Sequence, residues 1–565
     1  MSILRKVTCL AMFGLAVCDT LILSAAETRV VPGSVVVYEG FPVAARLYIE
    51  GPPGTFHFAK SVAPNGTAVI YDVKRSETCR EQHVTLSPGP FEVELPPGEY
   101  VFRAERGPEY LPVVERVTVP VEGEVKRVIL QLQRWIDMPS RGWYSGDTHL
   151  HRPLADCSNL VDAEDLHVAL PLTYWVRGAY EAPNLAPVGE HPPAELIELA
   201  TDGFLQTPPT QRFIWPVNTE YELFTVNGRP HTQGAVLVLN HKTPLKPGAP
   251  PVGPLSQAAR DEGAIFDLDK HTWNWTPMIV PVMQADLFEL ANNPIWRTEF
   301  LNKGWTADVL PQDWEIETDS QGYTERGWID WGFKTYYAYL NCGFRLRPTG
   351  GTGSGFHPVP AGFGRVYVQC PDEFTYEKWM EGLNAGRSFV STGPMLEVTI
   401  NGQPPGTVFN DFSDGEIHVV VNCFVPSSRR YKVEVIVNGQ VVSCCDSTQS
   451  RSTFGSQISG STFHITRSSW VAVRCFEYRD HESLTKENRD VTEPTEKSRF
   501  RYAHTAPVYF EMDGPIKPRQ REVNYFIQRM KQEIARNTGV LTEDEVAEYR
   551  KALEIYQKIA ERAVE

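Results

Sequence analysis

The stretch GWYSGDTHLHRP, residues 142–153, carries two histidines one residue apart, His149 and His151, with Asp147 just before them. On an extended strand, residues two apart point to the same side, so both imidazoles can meet one cation. Imidazole suits zinc, manganese and iron, and a neighbouring carboxylate can orient a ligating histidine through its second ring nitrogen. On the pattern alone, the stretch predicts either a metal site or a solvated polar turn.

Outward from this stretch, residues 135–394 interleave helical patterns with short apolar runs that end in polar residues, such as VALPLTYW, GAVLVLNH and ADLFELANN. Strands that alternate with helices predict an α/β domain with a mainly parallel sheet or barrel. In such domains functional side chains lie at the carboxyl ends of strands. This rule places Asn240, His241, Asn292 and Asn293 where ligands are usually found.

Strand-rich segments flank the central domain on both sides. Residues 27–134 and 395–511 hold short β-branched and aromatic runs between Pro/Gly turns, and VNGQ at 437–440 is a hairpin signal. These patterns predict an N-terminal and a C-terminal β-sandwich. The expected fold class is therefore multidomain, α/β plus all-β.

Residues 512–565 form the last predicted unit, a helical tail. Two amphipathic patterns predict a pair of helices, and Thr542 fits an N-cap whose capping box Glu545 completes. The two helices are expected to form a packing or dimerising hairpin.

Residues 1–26 have the order of a secretory signal peptide. Arg5 and Lys6 precede an apolar run, and small residues come before Glu27. The run is short for a membrane span, and Asp19 within it would be costly in lipid. We therefore expect a secreted or periplasmic protein with no transmembrane span after cleavage.

Composition excludes some classes of function. A formal charge of −16 argues against nucleic-acid binding, which depends on lysines and arginines that neutralise phosphates. There is no CxxC pair with a partner for a zinc ribbon, no phosphate-binding loop and no GxSxG elbow. Four cysteines crowd one strand-rich region, and two of them could bridge in an oxidising compartment; they are Cys423, Cys444, Cys445 and Cys475.

The segment WYSGDTHLHR resembles the opening motif of the CehA/McbA family of metallohydrolases, relatives of the PHP (polymerase and histidinol phosphatase) superfamily. Further matching segments follow in family order: AEDLHVALPLTYW, GAVLVLNHKTP, LDKHTWNW, DLFELANN, LNCGFRLRPTGGTGSGFHPVPAGFGRVYV and GRSFVSTGPMLEVTINGQPPG. The similarity covers most of residues 135–409. It is specific for the family and does not identify a substrate.

The resemblance implies a PHP-like distorted barrel with metal ions at one mouth and hydrolysis by metal-activated water. In this view His149 and His151 are the first metal ligands, and Asp147 is close enough to orient one of them. Either Glu220 or Glu222 would supply a bridging carboxylate, unless the two form an ordinary acidic pair on the surface.

Two further histidines are candidate ligands by position. His241 ends an apolar strand, and His271 lies in DLDKHTW. Each is predicted to be either a metal ligand or a hydrogen-bonded core histidine, and the strand-end position favours the ligand.

The sequence departs from the family pattern at two places. Tyr174 and Trp175 stand where the family has an aspartate and a histidine. In the late glycine-rich motif, Gly353 and Ser354 offer no carboxylate, and His357 is shifted along the chain. These departures argue against a site with three metals and leave two, one or none.

The sequence leads to two hypotheses. The first is an exported hydrolase that uses zinc, manganese or iron to cleave an ester, amide, carbamate or phosphoester bond of a small-molecule or glycan-type substrate. Its predicted metal ligands are His149, His151, Glu220, His241 and His271, with Asp147 as a catalytic residue. The alternative is a non-catalytic ligand-binding protein of the cell envelope with a degenerate PHP-like site.

Overall fold

A computed structural model describes residues 27–565 apart from 53, 78, 188, 190, 200–210, 297–299, 305–308, 414, 427–429, 447–453 and 479–499. The predicted signal peptide, residues 1–26, lies outside the described residues. The described chain is mostly β-sheet with few helices. The central domain therefore contains less helix than the sequence pattern predicts.

The N-terminal region consists of two larger sheets that enclose one apolar core, and of a short two-stranded sheet formed by β9 and β12. One sheet has the strand order β11-β1-β7-β4, and the larger one runs β10-β8-β2-β6-β5 with β3 paired to β2. The strands are β1 (Arg29–Val36), β2 (Ala45–Gly51), β3 (Thr55–Phe56), β4 (Lys60–Ser61), β5 (Ala68–Lys74), β6 (Arg80–Leu86), β7 (Pro90–Leu95), β8 (Gly98–Glu105), β9 (Tyr110–Leu111), β10 (Val113–Val119), β11 (Val128–Gln131) and β12 (Gln133–Arg134).

The central region carries the site, and its strands belong to two larger sheets, apart from a short hairpin formed by β23 and β24. The strands are β13 (Trp143–Leu150), β14 (Val168–Pro171), β15 (Tyr174–Gly178), β16 (Asn184–Leu185), β17 (Ile197–Leu199), β18 (Arg212–Ile214), β19 (Thr219–Val226), β20 (Arg229–Leu239), β21 (Ile265–Leu268), β22 (Leu287–Ala291), β23 (Thr318–Asp319), β24 (Gly322–Tyr323), β25 (Arg347–Gly350), β26 (Arg365–Gln369) and β27 (Ser388–Ser391). The helices are α1 (Leu154–Ala163), α2 (Val252–Asp261), α3 (Thr276–Ile279), α4 (Glu325–Asn341) and α5 (Tyr376–Ala385).

Both large sheets are mixed, which corrects the expectation of a mainly parallel sheet. Strands β13, β14 and β18 are parallel, whereas β26 and β27 join them in antiparallel pairs. In the seven-stranded sheet β16-β15-β19-β20-β21-β22-β25, strand β20 is antiparallel to both of its neighbours. Asn227 and Gly228, both with positive φ, join β19 to β20. A two-residue turn of this kind makes a hairpin, because a parallel connection needs a crossover of about a dozen residues.

The C-terminal strands extend the sheet that contains β13. The strand order β17-β18-β14-β13-β26-β27-β35-β34-β31-β32 runs without a break from the central region into the C-terminal one. A separate sheet β28-β30-β33 packs against this extension around one apolar core. The strands are β28 (Met395–Ile400), β29 (Val408–Phe409), β30 (Glu416–Pro426), β31 (Arg430–Val437), β32 (Gln440–Asp446), β33 (Phe454–His464), β34 (Ser469–Tyr478), β35 (Phe500–Thr505) and β36 (Val508–Phe510).

Two predicted local features of the C-terminal part are confirmed. The VNGQ segment turns β31 back as β32, with Asn438 and Gly439 at positive φ. Thr542 caps the last helix: its side chain accepts from the backbone of Glu545, whose carboxylate accepts from the backbone of Thr542.

The final helices, α6 (Gln520–Asn537) and α7 (Glu543–Ala560), pack onto the central region. Their apolar side chains share one core with residues of α3. The Tyr549 hydroxyl donates to Gln233 on β20, and the Tyr556 hydroxyl donates to the Pro277 carbonyl in α3. Of the two roles that the sequence left open, the structure shows intramolecular packing.

Buried ion pairs join the N-terminal region to the central one. Arg46 on β2 contacts Glu105 on β8 and Glu164 after α1, each at 2.5 Å. Arg106 reaches Asp162 and Asp165 at the end of α1. The N-terminal sheets therefore have a fixed attachment close to the strands that carry the site.

No helix in the described part of the chain is both long enough and apolar enough for a membrane crossing.

Candidate metal centre

His149 and His151 lie at the end of β13, in the middle of its sheet. Their Nε2 atoms face each other at 3.1 Å, and the residues are only 1% and 4% exposed. Two ligand nitrogens about 2.1 Å from one zinc ion lie about 3 to 3.4 Å apart at the usual bond angles. The observed separation fits two histidines that share a cation.

Glu220 on β19 completes this group. Its Oε2 lies 3.2 Å from His151 Nε2, and its Oε1 lies 4.0 Å from His149 Nε2. No described residue hydrogen-bonds to Glu220 Oε2 or to His151 Nδ1, although both atoms are buried. Unpaired buried polar atoms are costly, and a cation between these side chains would satisfy Glu220.

Glu289 on β22 holds the other nitrogen of His149. Its Oε1 lies 2.9 Å from His149 Nδ1. With Glu289 ionised, Nδ1–H donates to the carboxylate, and the lone pair of the neutral ring is then on Nε2, which faces His151 and Glu220. Histidines that bind metals are commonly oriented by a carboxylate in this way.

Asp269, just after β21, is the next carboxylate beside His149. Its Oδ1 lies 3.8 Å from His149 Nδ1. Lys270 Nζ contacts both of its oxygens, at 2.8 and 2.5 Å. The indole of Trp273 and the amide of Asn293 also donate to it, at 2.6 and 3.1 Å.

Burial and neighbouring negative charges disfavour the ionised form of the carboxylates Glu220 and Glu289. Burial raises the pKa of Glu220 well above its usual range, and the nearby Glu222 raises it further. Burial, with repulsion from Asp269, likewise raises the pKa of Glu289. Burial also lowers the pKa of His151, and neighbouring His149 adds to this effect. A divalent cation would favour the ionised carboxylates and the neutral histidine, which are the ligand forms.

The backbone of the glycine-rich segment after β25 lies against the backbone of the two histidines. The backbone of Gly353 donates to the His149 carbonyl, and the backbone of His151 donates to the Ser354 carbonyl, at 2.7 and 2.8 Å. A methyl group at Gly351 would lie 2.1 Å from Glu289 Oε1 and 2.3 Å from His149 Cβ. The approach of this backbone to the centre therefore requires glycine.

Two aromatic rings close the centre beside His151. Trp175, on β15, and Phe356, in the glycine-rich segment, lie with their ring centroids 5.1 and 4.8 Å from that of His151. They also contact each other at 4.8 Å. Trp175 and Phe356 together therefore cover one side of His151.

The N-terminal sheet touches this same segment. The hydroxyl of Tyr71 on β5 donates to the His357 carbonyl at 2.5 Å and accepts from the Gly355 backbone at 2.9 Å. Arg75 donates to the Phe356 carbonyl at 2.6 Å. The guanidinium of Arg152 lies over the Tyr71 ring at 4.5 Å.

The structure does not bring all of the predicted site residues together. Asp147 is buried and accepts from the hydroxyl of Thr352 and from three backbone amides, including that of His149, so it holds backbone and not a histidine ring. His241 lies at hydrogen-bond distance from the Thr219 hydroxyl and the Thr243 carbonyl, as a core histidine does.

His271 and His357 also stand apart from the two candidate ligand groups found among the described residues. His271 is buried against Trp328 and Trp331, with ring centroids 4.6 and 4.9 Å away. Burial lowers the pKa of His271 to about 3, so its ring is neutral. The ring of His357 lies beside Trp296.

Asp269, Lys270 and Glu289 were not predicted as members of the centre. Asp269 and Lys270 lie in the segment LDKHTWNW, and Glu289 lies in DLFELANN, so the resemblance includes these segments but assigns no role to these residues. Glu289 lies within a strand, where alternation directs its side chain to the same face as Leu287 and Ala291. A lone acidic residue within an apolar strand is the sequence signal that could have identified Glu289.

Comparisons with known proteins add little to this geometry. No protein-family model matches the chain, and no curated protein matches it. One similar solved structure is a two-domain protein from Bacteroides vulgatus that contains a predicted PHP-like metal-dependent phosphoesterase; the match is 10% identical, covers 59% of this chain and 90% of that chain, and has a TM-score of 0.27. Another is a CARDB domain from Pyrococcus furiosus in complex with di-metal ions, 16% identical over 21% of this chain and 96% of that chain, with a TM-score of 0.13. At these TM-scores neither likeness carries an argument about this chain.

Proposed function

We propose that this protein is an exported, metal-dependent hydrolase with a PHP-like fold of the CehA/McbA type. Its substrate would be a small-molecule or glycan-type ester, amide, carbamate or phosphoester. The observation that carries the proposal is the convergence of His149 Nε2, His151 Nε2 and the Glu220 carboxylate in a buried pocket. In this proposal the two central sheets are the halves of a distorted barrel, with a β-sandwich on each side.

The residues present fit a divalent ion such as zinc, manganese or iron. Two imidazole nitrogens and one carboxylate are the ligand set of many catalytic zinc sites. A divalent ion bound there acts as a Lewis acid that activates water and polarises the bond under attack. His149, His151 and Glu220 would hold the ion, while Glu289 keeps the proton on His149 Nδ1 and so directs the Nε2 lone pair to it.

The surrounding residues exclude water and supply charge. Trp175 and Phe356 cover His151, so little bulk water reaches the ligand atoms. Lys270 is a buried cation beside the centre, held by Asp269. A low-dielectric surrounding strengthens the interaction of such charges with an anionic group of a substrate.

A second candidate function is a cell-envelope binding protein in which the ion is structural. The burial of His149, His151 and Glu220 favours it, because structural sites are closed and catalytic sites keep a position open for substrate. The presence of Trp175, where the family has a ligand, points in the same direction.

Metal content tests what both candidates share. We expect wild-type protein, purified without chelator, to retain a divalent metal that a His149→Ala, His151→Ala double variant loses. The matched control replaces His418 and His464, two exposed histidines that flank the Glu416 carboxylate at 2.7 and 3.5 Å. Equal metal content in the wild type and the His149/His151 variant would refute the site.

Hydrolysis separates the two candidates. We expect the wild type to cleave nitrophenyl esters or phosphoesters when zinc, manganese or iron is supplied, and the His149/His151 variant to lose this activity. Retention of the metal without activity on esters, amides, carbamates or phosphoesters would instead support the binding protein.

A further inference from the structure

We propose that Lys270 takes the place of a second cation, so that this centre binds one divalent metal ion and not two. The inference rests on the proposed function, since it concerns the same metal centre. It starts from a second group of candidate ligands, His149, Asp269 and Glu289, whose ligand atoms all lie within 4.8 Å of one another. By spacing alone this group could hold a second ion beside the first.

The first obstacle to a second ion is that the two groups share His149. A neutral imidazole has one lone pair, and a nitrogen that carries a proton cannot bind a metal. Nδ1 faces the second group, and Glu289 occupies it at 2.9 Å. Nε2 faces the first group, where Glu220 and His151 lie. The ring can therefore serve only one of the two groups, and the contact with Glu289 assigns it to the first.

The second obstacle is that Asp269 already has its partners. Both of its oxygens contact the Lys270 ammonium, and the indole N–H of Trp273 and the amide of Asn293 donate to them as well. Glu220 differs from Asp269 in this respect, because no described residue hydrogen-bonds to its Oε2; of the second group, Glu289 Oε2 is also without a hydrogen bond. A metal at Glu220 would satisfy an unpaired atom, whereas a metal at Asp269 would have to displace bonds that exist.

The third obstacle is charge. Lys270 is 8% exposed, and its ammonium lies 5.0 Å from the centroid of the Trp273 ring, so it is held beside Asp269 and kept out of the solvent. A divalent ion on Asp269 would stand next to this ammonium in a poorly screened interior. The ammonium already supplies positive charge to Asp269, both of whose oxygens it contacts.

The number of bound ions tests the proposal, and native mass spectrometry after equilibration with manganese or zinc counts them directly. We expect one ion in the wild type and two in Lys270→Met, in which Asp269 and the unpaired Oε2 of Glu289 become available to a second ion without His149. We expect one again in the double variant Lys270→Met, Asp269→Asn, which removes both charges. Lys60→Met, at an exposed lysine of the N-terminal sheet, is the matched control and should bind one ion.

Each outcome has a separate meaning. A wild-type chain that binds two ions overturns this inference and leaves the proposed function standing, whereas a wild-type chain that binds none overturns both. A folded Lys270→Met chain that still binds one ion also overturns the inference. If Lys270→Met does not fold, Asp269→Asn decides: retention of one ion with an unchanged dissociation constant supports the inference, and loss of the ion overturns it.

Discussion

Glu220 and Glu222 lie on the same strand, but only Glu220 belongs to a candidate ligand group among the described residues. Both point to the same face of β19, since they are two residues apart. Glu220 is buried against the two histidines, whereas Glu222 is half-buried and belongs to neither candidate ligand group among the described residues. Burial raises the pKa of Glu222 to about 7, an effect that Lys270 opposes.

We therefore expect Glu220→Gln and Glu222→Gln to differ. Loss of a direct ligand should weaken metal binding by about 100-fold or more, while the change at Glu222 should stay below about tenfold. Competition with a fluorescent chelator measures both dissociation constants. Equal weakening in the two variants would contradict the assignment of Glu220 as the ligand.

At the residue scale, the sequence predicted part of the centre. The spacing of His149 and His151 was enough to place both rings on one side. Glu289 and Asp269 could not be placed, because their approach to His149 depends on the pairing of β21 with β22 and on the path of the chain between the sheets. His241 failed to join the centre because two threonines next to it in space satisfy both of its nitrogens.

Strand β35 carries a buried histidine that makes stability depend on pH. Nε2 of His504 lies 2.8 Å from the hydroxyl of Tyr337 on α4, and its Nδ1 lies 2.6 Å from the Thr505 carbonyl. This arrangement suits a neutral ring that accepts at Nε2 and donates at Nδ1. Burial lowers the pKa of His504 to about 3, and Arg474 lowers it further.

Acidification should therefore destabilise the fold through His504. Below the unfolded pKa of about 6.5 the unfolded chain binds a proton that the folded chain does not, so about 2 kcal/mol is lost by pH 5. We expect His504→Gln to flatten the pH dependence of the unfolding free energy between pH 6.5 and 5, measured by urea denaturation. The same change at the exposed His418 should leave the slope as it is; equal slopes in all three proteins would refute the assignment.

Strands β30 and β34 bring together two of the four crowded cysteines. The Sγ atoms of Cys423 and Cys475 lie 3.3 Å apart, and neither residue is exposed. The two strands belong to different sheets around one core, so a bridge would pin the sheets together. Closing a loop of roughly fifty residues stabilises a fold by about 4 kcal/mol in the chain-entropy picture.

We expect Cys423 and Cys475 to form a disulfide when the chain refolds with glutathione disulfide. The two thiols lose two protons and two electrons to the glutathione disulfide, which becomes two thiols. Alkylation followed by peptide mass spectrometry should find this pair bridged and Cys444, which is exposed, alkylated. Alkylation of Cys423 and Cys475 under the same conditions would refute the pairing.

At the scale of elements, local chemistry was easier to predict than pairing. The VNGQ turn and the Thr542 capping box each depend on a few adjacent residues, and both are confirmed. The antiparallel placement of β20 also has a local cause, the two-residue turn at Asn227 and Gly228. It was not predicted, because the alternation of strand and helix patterns indicated parallel strands. The joining of β27 to β35 depends on residues more than a hundred positions apart, and no local pattern reports it.

At the scale of the whole molecule, the N-terminal region takes part in the centre. Tyr71 and Arg75 bind the backbone of residues 355–357, the segment whose Phe356 lies on His151. The sequence does not predict this contact, because it joins residues far apart in the chain.

We expect Tyr71→Phe to loosen this segment without unfolding the protein. Loss of the hydroxyl should speed hydrogen exchange at the Gly355 amide by about tenfold or more, because its acceptor is gone. Tyr48→Phe is the matched control, because its hydroxyl donates to Glu81 in the same sheet. Exchange mass spectrometry over residues 351–364 compares the two, and unchanged protection in Tyr71→Phe would contradict the contact.

The continuous sheet that runs from β14 through β13 and β27 to β35 has a practical consequence for dissecting the protein. A fragment that stops at Pro394 would keep β27 but lose β35, and would leave the Ser388 carbonyl and the Thr392 amide without the partners they have in the intact chain, Ala506 and Tyr502. A bare row of such groups, set on apolar side chains, recruits strands from other molecules. The fragment should therefore be prone to self-association, and its insolubility would reflect an opened sheet and not a failure of the candidate metal centre to form.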